Sequence, residues 1–243
     1  YEVSASINHV EQRKVSLTKD YQLDLDGILK TRDENSRLLF LCSPNNPTGN
    51  KLKRDDIYTL IESFKSGFII IDEAYIDFSD EPSFISELNK YPQVIVMQTL
   101  SKAYGLASLR LGMAFAHPTI IGLLNKIKPP YNIGGATQEI VHKALANLAF
   151  KNEAVQLILR ERSRLKENLQ TIPEVIHIYP TDANFLLVQF AHANELFNYL
   201  IEAKLITRNR SSVTLCEDSI RITIGLSEEN DKLVQLIKQF YTA

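Results

Sequence analysis

The chain has 243 residues, 44% of them hydrophobic and 23% charged, with a formal net charge of −2. That length supports one large domain or two modest ones, and the balance is that of an ordinary globular protein. So small a charge gives no electrostatic case for nucleic acid or an anionic membrane, no apolar run reaches the roughly 20 residues of a bilayer span, and the two distant cysteines (Cys42, Cys216) and scattered histidines show no metal-ligand spacing.

Tyr1 to Ala5 reads like the middle of an αβ unit, with no initiator methionine and no opening cap. No basic, apolar leader opens the chain, and a cytoplasmic protein is expected. Tyr21 to Leu25 alternates apolar and polar, and Leu25 to Lys30 is a short helical candidate. Arg37 to Cys42 and Phe68 to Ile71 are continuous apolar runs, the pattern of buried parallel strands. Between them Ile57, Leu60, Ile61 and Phe64 recur at helical spacing, with Asp55 and Asp56 where carboxylates suit the helix dipole and Gly67 expected as the cap. A short helix is expected around Phe84 to Asn89. Val94 to Met97 reads as a third buried strand, with Gln98 to Ser101 leaving it as a polar loop, and Leu111 to Ala116 as another strand. Pro118 opens a helix that Pro129 and Pro130 end.

From Thr137 the rhythm changes to long helices over Thr137 to Leu148 and Asn152 to Leu169. Strands at Ile176 to Tyr179 and Phe185 to Gln189, a helix at Asn194 to Ala203, strands at Ile206 to Arg208 and Ile220 to Ile224, and a helix at Glu228 to Tyr241 follow. Mixed strands and helices without strict βαβ order suggest a small α+β domain. Its boundary is expected inside the long helix, dividing the chain into residues 1–155 and 156–243.

Three polar clusters follow the three apolar strands, at Ser43 to Gly49, Asp72 to Tyr75 and Thr99 to Lys102. Parallel strands would deliver all three to one sheet edge, where α/β folds place their reactive groups. Lys102 sits just beyond its strand, beside Ser101 and ahead of Arg110. A lysine in a partly dry loop near a guanidinium is suited to form a Schiff base. For a Ser-Lys pair alone the plain alternative is a solvated surface lysine. Asp72 and Glu73 read equally well as a helix-capping pair, and the Asn-Pro run as a simple turn.

Taken together, SPNNPTG (43–49), DEAY (72–75) and SKAYGLASLRLG (101–112), in this order and spacing, resemble the fold-type I pyridoxal-phosphate aminotransferases, and within them the histidinol-phosphate aminotransferases. The resemblance covers the whole chain but begins partway into the family's large domain. It implies an α/β fold with an incomplete, mostly parallel sheet flanked by helices, plus a small carboxyl-terminal α+β domain. Pyridoxal 5'-phosphate is then the cofactor, bound by Lys102 as Schiff-base amine, Asp72 at the ring nitrogen, Asn46 and Tyr75 at the phenolic oxygen, and Thr99, Ser101 and Arg110 at the phosphate. Arg221, on a strand where it faces away from three isoleucines, would act with Arg208 on the phosphate of histidinol phosphate and on the carboxylates of 2-oxoglutarate or glutamate. Exposed surface arginines are the alternative for both. The implied protein is a homodimer in histidine biosynthesis, with no metal and neither nucleic acid nor membrane as partner.

The family's phosphate-cradling small-residue motif, its ring-stacking aromatic and its amino-terminal arm are not found. The chain is therefore expected to lack roughly the first third of a family member, to bind the cofactor weakly and to be inactive alone. An aromatic amino-acid aminotransferase or a phosphothreonine decarboxylase of similar sequence is the alternative within the cofactor class. A non-enzymatic binding module is the alternative outside it.

Overall fold

The computed structural model describes residues 1–242. Two sheets organise it. The first contains β1 (Leu38–Cys42), β2 (Phe68–Asp72), β3 (Val94–Thr99) and β4 (Gly112–Ala116) in that spatial order, with β1, β2 and β3 parallel and β4 antiparallel to β3. Leu39, Ile69 and Val94 stand in register, as do Leu41, Ile71 and Val96. The period of two puts both rows on one face, where Ile57, Leu60 and Ile61 of the helix Arg54–Ser63, with Phe64 just after it, cover them. Leu38, Phe40 and Phe68 point to the other face and are exposed.

The helices follow local chemistry. The helix Leu25–Thr31 is capped by Asp24, whose carboxylate accepts from the Gly27 amide at 3.0 Å. Pro118 occupies the first turn of Pro118–Ile127, and Asn147 caps Leu148–Gln170 through the Phe150 amide. Gly135–Ala146 completes the middle of the chain, and Glu2–Ile7 opens it.

The second sheet is antiparallel throughout, in the order β5 (Val175–Ile178), β6 (Phe185–Phe190), β8 (Ser219–Thr223), β7 (Arg208–Asn209). Leu186, Val188, Phe190, Ile220 and Ile222 form one face of it and bury against Leu165 and Leu169 of the long helix, Leu196 and Leu200 of Ala193–Glu202, and Leu233 and Ile237 of Ser227–Thr242. Burying each such side chain contributes about 1.5–3 kcal/mol. Glu161 joins two of these helices. Its carboxylate, buried in the long helix, accepts from Arg164, Ser227 and Asn230.

Three expectations are corrected. Gly67 does not cap the helix before β2, which ends at Phe64 with its amide on the Leu60 carbonyl. Its own constraint is steric, because a Cβ there would stand 2.1 Å from the Arg37 carbonyl oxygen. The third strand does not end at Met97. Gln98 and Thr99 continue it, opposite Met113 and Gly112, because β4 returns beside it and pairs these polar residues. The strand expected at Ile206 begins at Arg208, and Ile206 lies outside the ladder, 78% exposed.

Candidate active site

Because β1, β2 and β3 are parallel, their carboxyl ends share one edge. Cys42 pairs with Asp72, and Asp72 with Met97, so the three following loops leave side by side. They enclose an open cavity of about 440 Å³ whose wall includes Cys42, Asn46, Asp72, Tyr75 and Lys102. That volume is within the range of small-molecule sites. A smaller cleft by Ser43, Leu52 and Glu73 has room for about 10 Å³, roughly one water, too little for a substrate or cofactor.

Asp72 is the last residue of β2. One carboxylate oxygen accepts from the Ala74 amide at 3.0 Å, and the other accepts from the Tyr1 hydroxyl. Its neighbour Glu73 points away and is buried, accepting from the Phe84 amide at 2.8 Å, the Ser83 hydroxyl at 2.5 Å and the Gln98 amide at 2.9 Å. The structure thus divides an acidic pair that the sequence leaves equivalent. Asp72 faces the cavity and Glu73 fixes the segment beyond it. The Cys42 thiol is pushed up to about 12 by burial and then by the Asp72 charge, against a backbone hydrogen bond at Asn46, so it stays protonated.

Lys102 follows β3, its Nζ 5.1 Å from the centre of the Tyr75 ring. Tyr75 is buried and meets Phe185 edge to face, with ring centres 5.2 Å apart. Thr99 and Ser101 are linked, hydroxyl to hydroxyl, at 2.9 Å, and the Ser101 amide donates to Thr99 Oγ1. Arg110 is not drawn into this group. It is exposed in a left-handed conformation, and its guanidinium donates to the Ala107 carbonyl at 3.1 Å.

The loop carrying Asn46 is clasped by the second sheet's approach segment. Gly49, at φ +87°, sits where a Cβ would stand 2.4 Å from Thr181 Oγ1. The Gly49 carbonyl accepts from the Asp182 amide at 2.7 Å, and the Asp182 carboxylate accepts from the Lys51 amide at 2.9 Å. Within the loop, the Asn45 amide donates to the Asn50 carbonyl and the Gly49 amide to the Asn45 carbonyl. From β8, Arg221 reaches across, its Nη1 donating to Asn46 Oδ1 at 2.5 Å and its guanidinium lying 5.0 Å over the Phe185 ring. With the Asn46 oxygen taken, its NH₂ is left as the donor. Burial lowers the Arg221 pKa, the Tyr75 hydroxyl opposes this, and the charges of Arg210 and Arg208 lower it further. Arg208 faces Arg221 across the β7–β8 ladder and is itself exposed.

Sequence reasoning passed over Tyr1, which lines the cavity, and Phe185, which packs behind it. Tyr1 stacks on Phe40 at 4.4 Å and reaches Asp72, and burial together with the Asp72 carboxylate raises its pKa. Only an aromatic side chain ahead of a helix hinted at it. Phe185, the first residue of β6, bridges Tyr75 and Arg221, and its place in an apolar strand concealed that role.

The donor set fits a flat, anionic aldehyde cofactor of the pyridoxal-phosphate type: an amine, a carboxylate, an amide and a phenol around one cavity, with paired hydroxyls beside the lysine. Residues 1–237 match the family model for aminotransferase class I and II. A histidinol-phosphate aminotransferase of Parabacteroides distasonis is 50% identical over 238 residues, 98% of this chain and 69% of that protein. The chain therefore belongs to the class I and II aminotransferases. Its fold is that of the histidinol-phosphate aminotransferase of Clostridium acetobutylicum, with a TM-score of 0.91 at 22% identity over all of this chain and 75% of that one. The Sinorhizobium meliloti histidinol-phosphate aminotransferase in complex with pyridoxal-5'-phosphate gives 0.87 at 23% identity, over 98% of this chain and 68% of that one.

Proposed function

We propose that this protein is a pyridoxal-phosphate-dependent aminotransferase acting between histidinol phosphate and 2-oxoglutarate in histidine biosynthesis. The convergence of Lys102, Asp72, Asn46 and Tyr75 on one cavity carries the reading, and the 50% identity to the Parabacteroides enzyme supports the substrate. When bound, the cofactor supplies an electron sink for the carbanion left by loss of the substrate's Cα proton.

The residues divide the work. Lys102 would hold the cofactor through its amine and, once released by the substrate, would serve as the base that takes the substrate's Cα proton. Asp72, oriented by Ala74 and Tyr1, keeps the ring nitrogen protonated. The Asn46 NH₂ and the Tyr75 hydroxyl donate to the ring oxygen, while Ser101, Thr99 and Arg110 serve the phosphate, with Arg110 turning from its Ala107 contact to do so. Arg221 and Arg208 grip the anionic end of each substrate in turn.

A domain boundary near residue 155 belongs to the same reading, giving a cofactor domain of residues 1–155 and a small domain of 156–243. Val155 packs with Tyr75 and Phe78, whereas Leu165 and Leu169 of the same helix pack on the second sheet. The protein is further read as a cytoplasmic homodimer, which sedimentation of the full-length protein checks.

The deciding experiment is a coupled assay of the full-length protein with added cofactor, offering histidinol phosphate, phenylalanine, tyrosine and phosphothreonine as alternative substrates. Highest kcat/KM for histidinol phosphate is expected. Preference for an aromatic amino acid, or release of carbon dioxide from phosphothreonine, would overturn the substrate assignment. Borohydride reduction followed by peptide mapping should place the cofactor on Lys102, and a label on another lysine would overturn the site.

A further inference from the structure

The face of the second sheet turned away from its helices carries more positive charge than a two-arginine grip requires. Arg208 lies opposite Arg221, and the ladder continues one step further, where the Arg210 amide donates to the Ser219 carbonyl at 2.8 Å. Residues two apart on a strand share a face, so Arg208, Arg210 and Arg221 stand on one side, with Asn209 and Ile220 on the other. Among the described residues none of the three has a carboxylate within 4.0 Å.

Arg210 and Arg221 each also carry an unmatched donor, the Nε. The buried side-chain polar atoms found without a partner among the described residues are Thr207 Oγ1, Arg210 Nε, Ser211 Oγ and Arg221 Nε, all within one short stretch of sheet and turn. Buried guanidinium nitrogens are ordinarily satisfied, and neighbouring like charges repel. The charges are felt locally, since Arg210 and Arg208 both depress the Arg221 pKa after burial has done so. Two half-buried cations elsewhere in the fold have partners. Arg162 donates to the Phe78 and Ala183 carbonyls, and Lys151 pairs with Asp77.

We propose that Arg210 is a third guanidinium of the substrate-anion site, and that it selects a phosphomonoester over a carboxylate. This rests on the function proposed above and deepens it, because it names the residue that sets the preference. A phosphomonoester near neutral pH carries a charge approaching −2 on three oxygens, enough to engage three forks. A carboxylate has two oxygens and one charge, which the pair Arg221 and Arg208 can serve. Arg210 gains little on a carboxylate and completes the set on a phosphate.

The test uses the full-length, cofactor-loaded protein with Arg210→Ala and Arg210→Lys, with melting temperatures recorded for each. Arg210→Ala should raise the KM for histidinol phosphate by about tenfold, the value of one charge-assisted hydrogen bond. The KM for 2-oxoglutarate should move by less than about threefold, and Arg210→Lys should recover part of the loss, keeping the charge without the fork. Calorimetric binding of inorganic phosphate should weaken in parallel. Equal losses for both substrates, or phosphate binding untouched by either variant, would make Arg210 structural and overturn the proposal. If Arg210→Ala unfolds, the Lys variant gives the same comparison. Should the wild-type protein fail to turn over histidinol phosphate while phosphate binding still depends on Arg210, the anion site stands and the substrate reading falls.

Discussion

The two sheets carry chemistry in different ways. In the first, parallel pairing stacks three strand ends at one edge, so Asn46, Asp72 and Lys102 reach one cavity from three loops far apart in sequence. In the second, antiparallel pairing sends successive strand ends to opposite edges. Its cationic groups collect instead across a face, as the cross-strand pair Arg208 and Arg221. Edge chemistry draws on loops and leaves the core alone. Face chemistry puts charges on one side of strands whose other side is the core, and so shares its scaffold with stability.

The comparison breaks first at Lys102. Replacing it with Ala in the full-length protein should lower kcat by about 10⁴-fold, the upper range for a lost acid–base group, and shift stability by no more than about 0.5 kcal/mol. Single-turnover kinetics and urea unfolding measure the two. A large loss of stability would mean that the edge residues are structural as well. On the second sheet the reverse is expected. Leu186→Ala, at a fully buried position behind the arginine face, should cost about 2–5 kcal/mol in urea unfolding while the folded variant keeps its cofactor absorbance.

A third effect is smaller and depends on pH. Glu161 is held down to about 2 by Arg164, against the cost of its burial and helped by Asn230 and Ser227. Its folded-state pKa lies below the unfolded value, so its stabilisation is present above about pH 4.5 and is lost as pH falls toward 2. Glu161→Gln should cost about 1–3 kcal/mol at pH 7 and flatten the acid limb of the stability curve. An unchanged acid limb would show that the carboxylate does not tie the two helices together. The smallest effect is expected at the edge again. Tyr1→Phe removes the hydroxyl that orients Asp72 and should weaken cofactor binding by about 1 kcal/mol, read from fluorescence titration.

The first sheet was more legible than the second, for a physical reason. Strands buried within a parallel sheet are continuous apolar runs, and the polar residues ending them mark the edge that lines the cavity. Asp72 and Lys102 could be placed that way. What sequence left out were relations across the fold. The Arg221–Asn46 hydrogen bond joins residues 175 positions apart, and nothing local to either predicts it. The division of labour between Asp72 and Glu73 likewise depends on which side of β2 the chain turns. Arg110 adds a local relation that spacing does not reveal, since in its left-handed conformation its guanidinium donates to the Ala107 carbonyl.

The clasped loop at Ser43 to Gly49 bears on how the chain meets a protease. Prolines, asparagines and a glycine on a surface ordinarily mark a cleavage site. Here the amides of Asn45, Gly49 and Lys51 are engaged within the protein, two of them inside the loop and one by the Asp182 carboxylate from another part of the chain. A peptide bond must leave such partners before it can be cut, so digestion of this loop has to wait for its separation from Thr181 and Asp182. Hydrogen exchange at Lys51 and Asp182, whose amides bond across the join, would then follow that separation, recording how often the cavity edge comes free of the second sheet rather than how flexible the loop's own residues are.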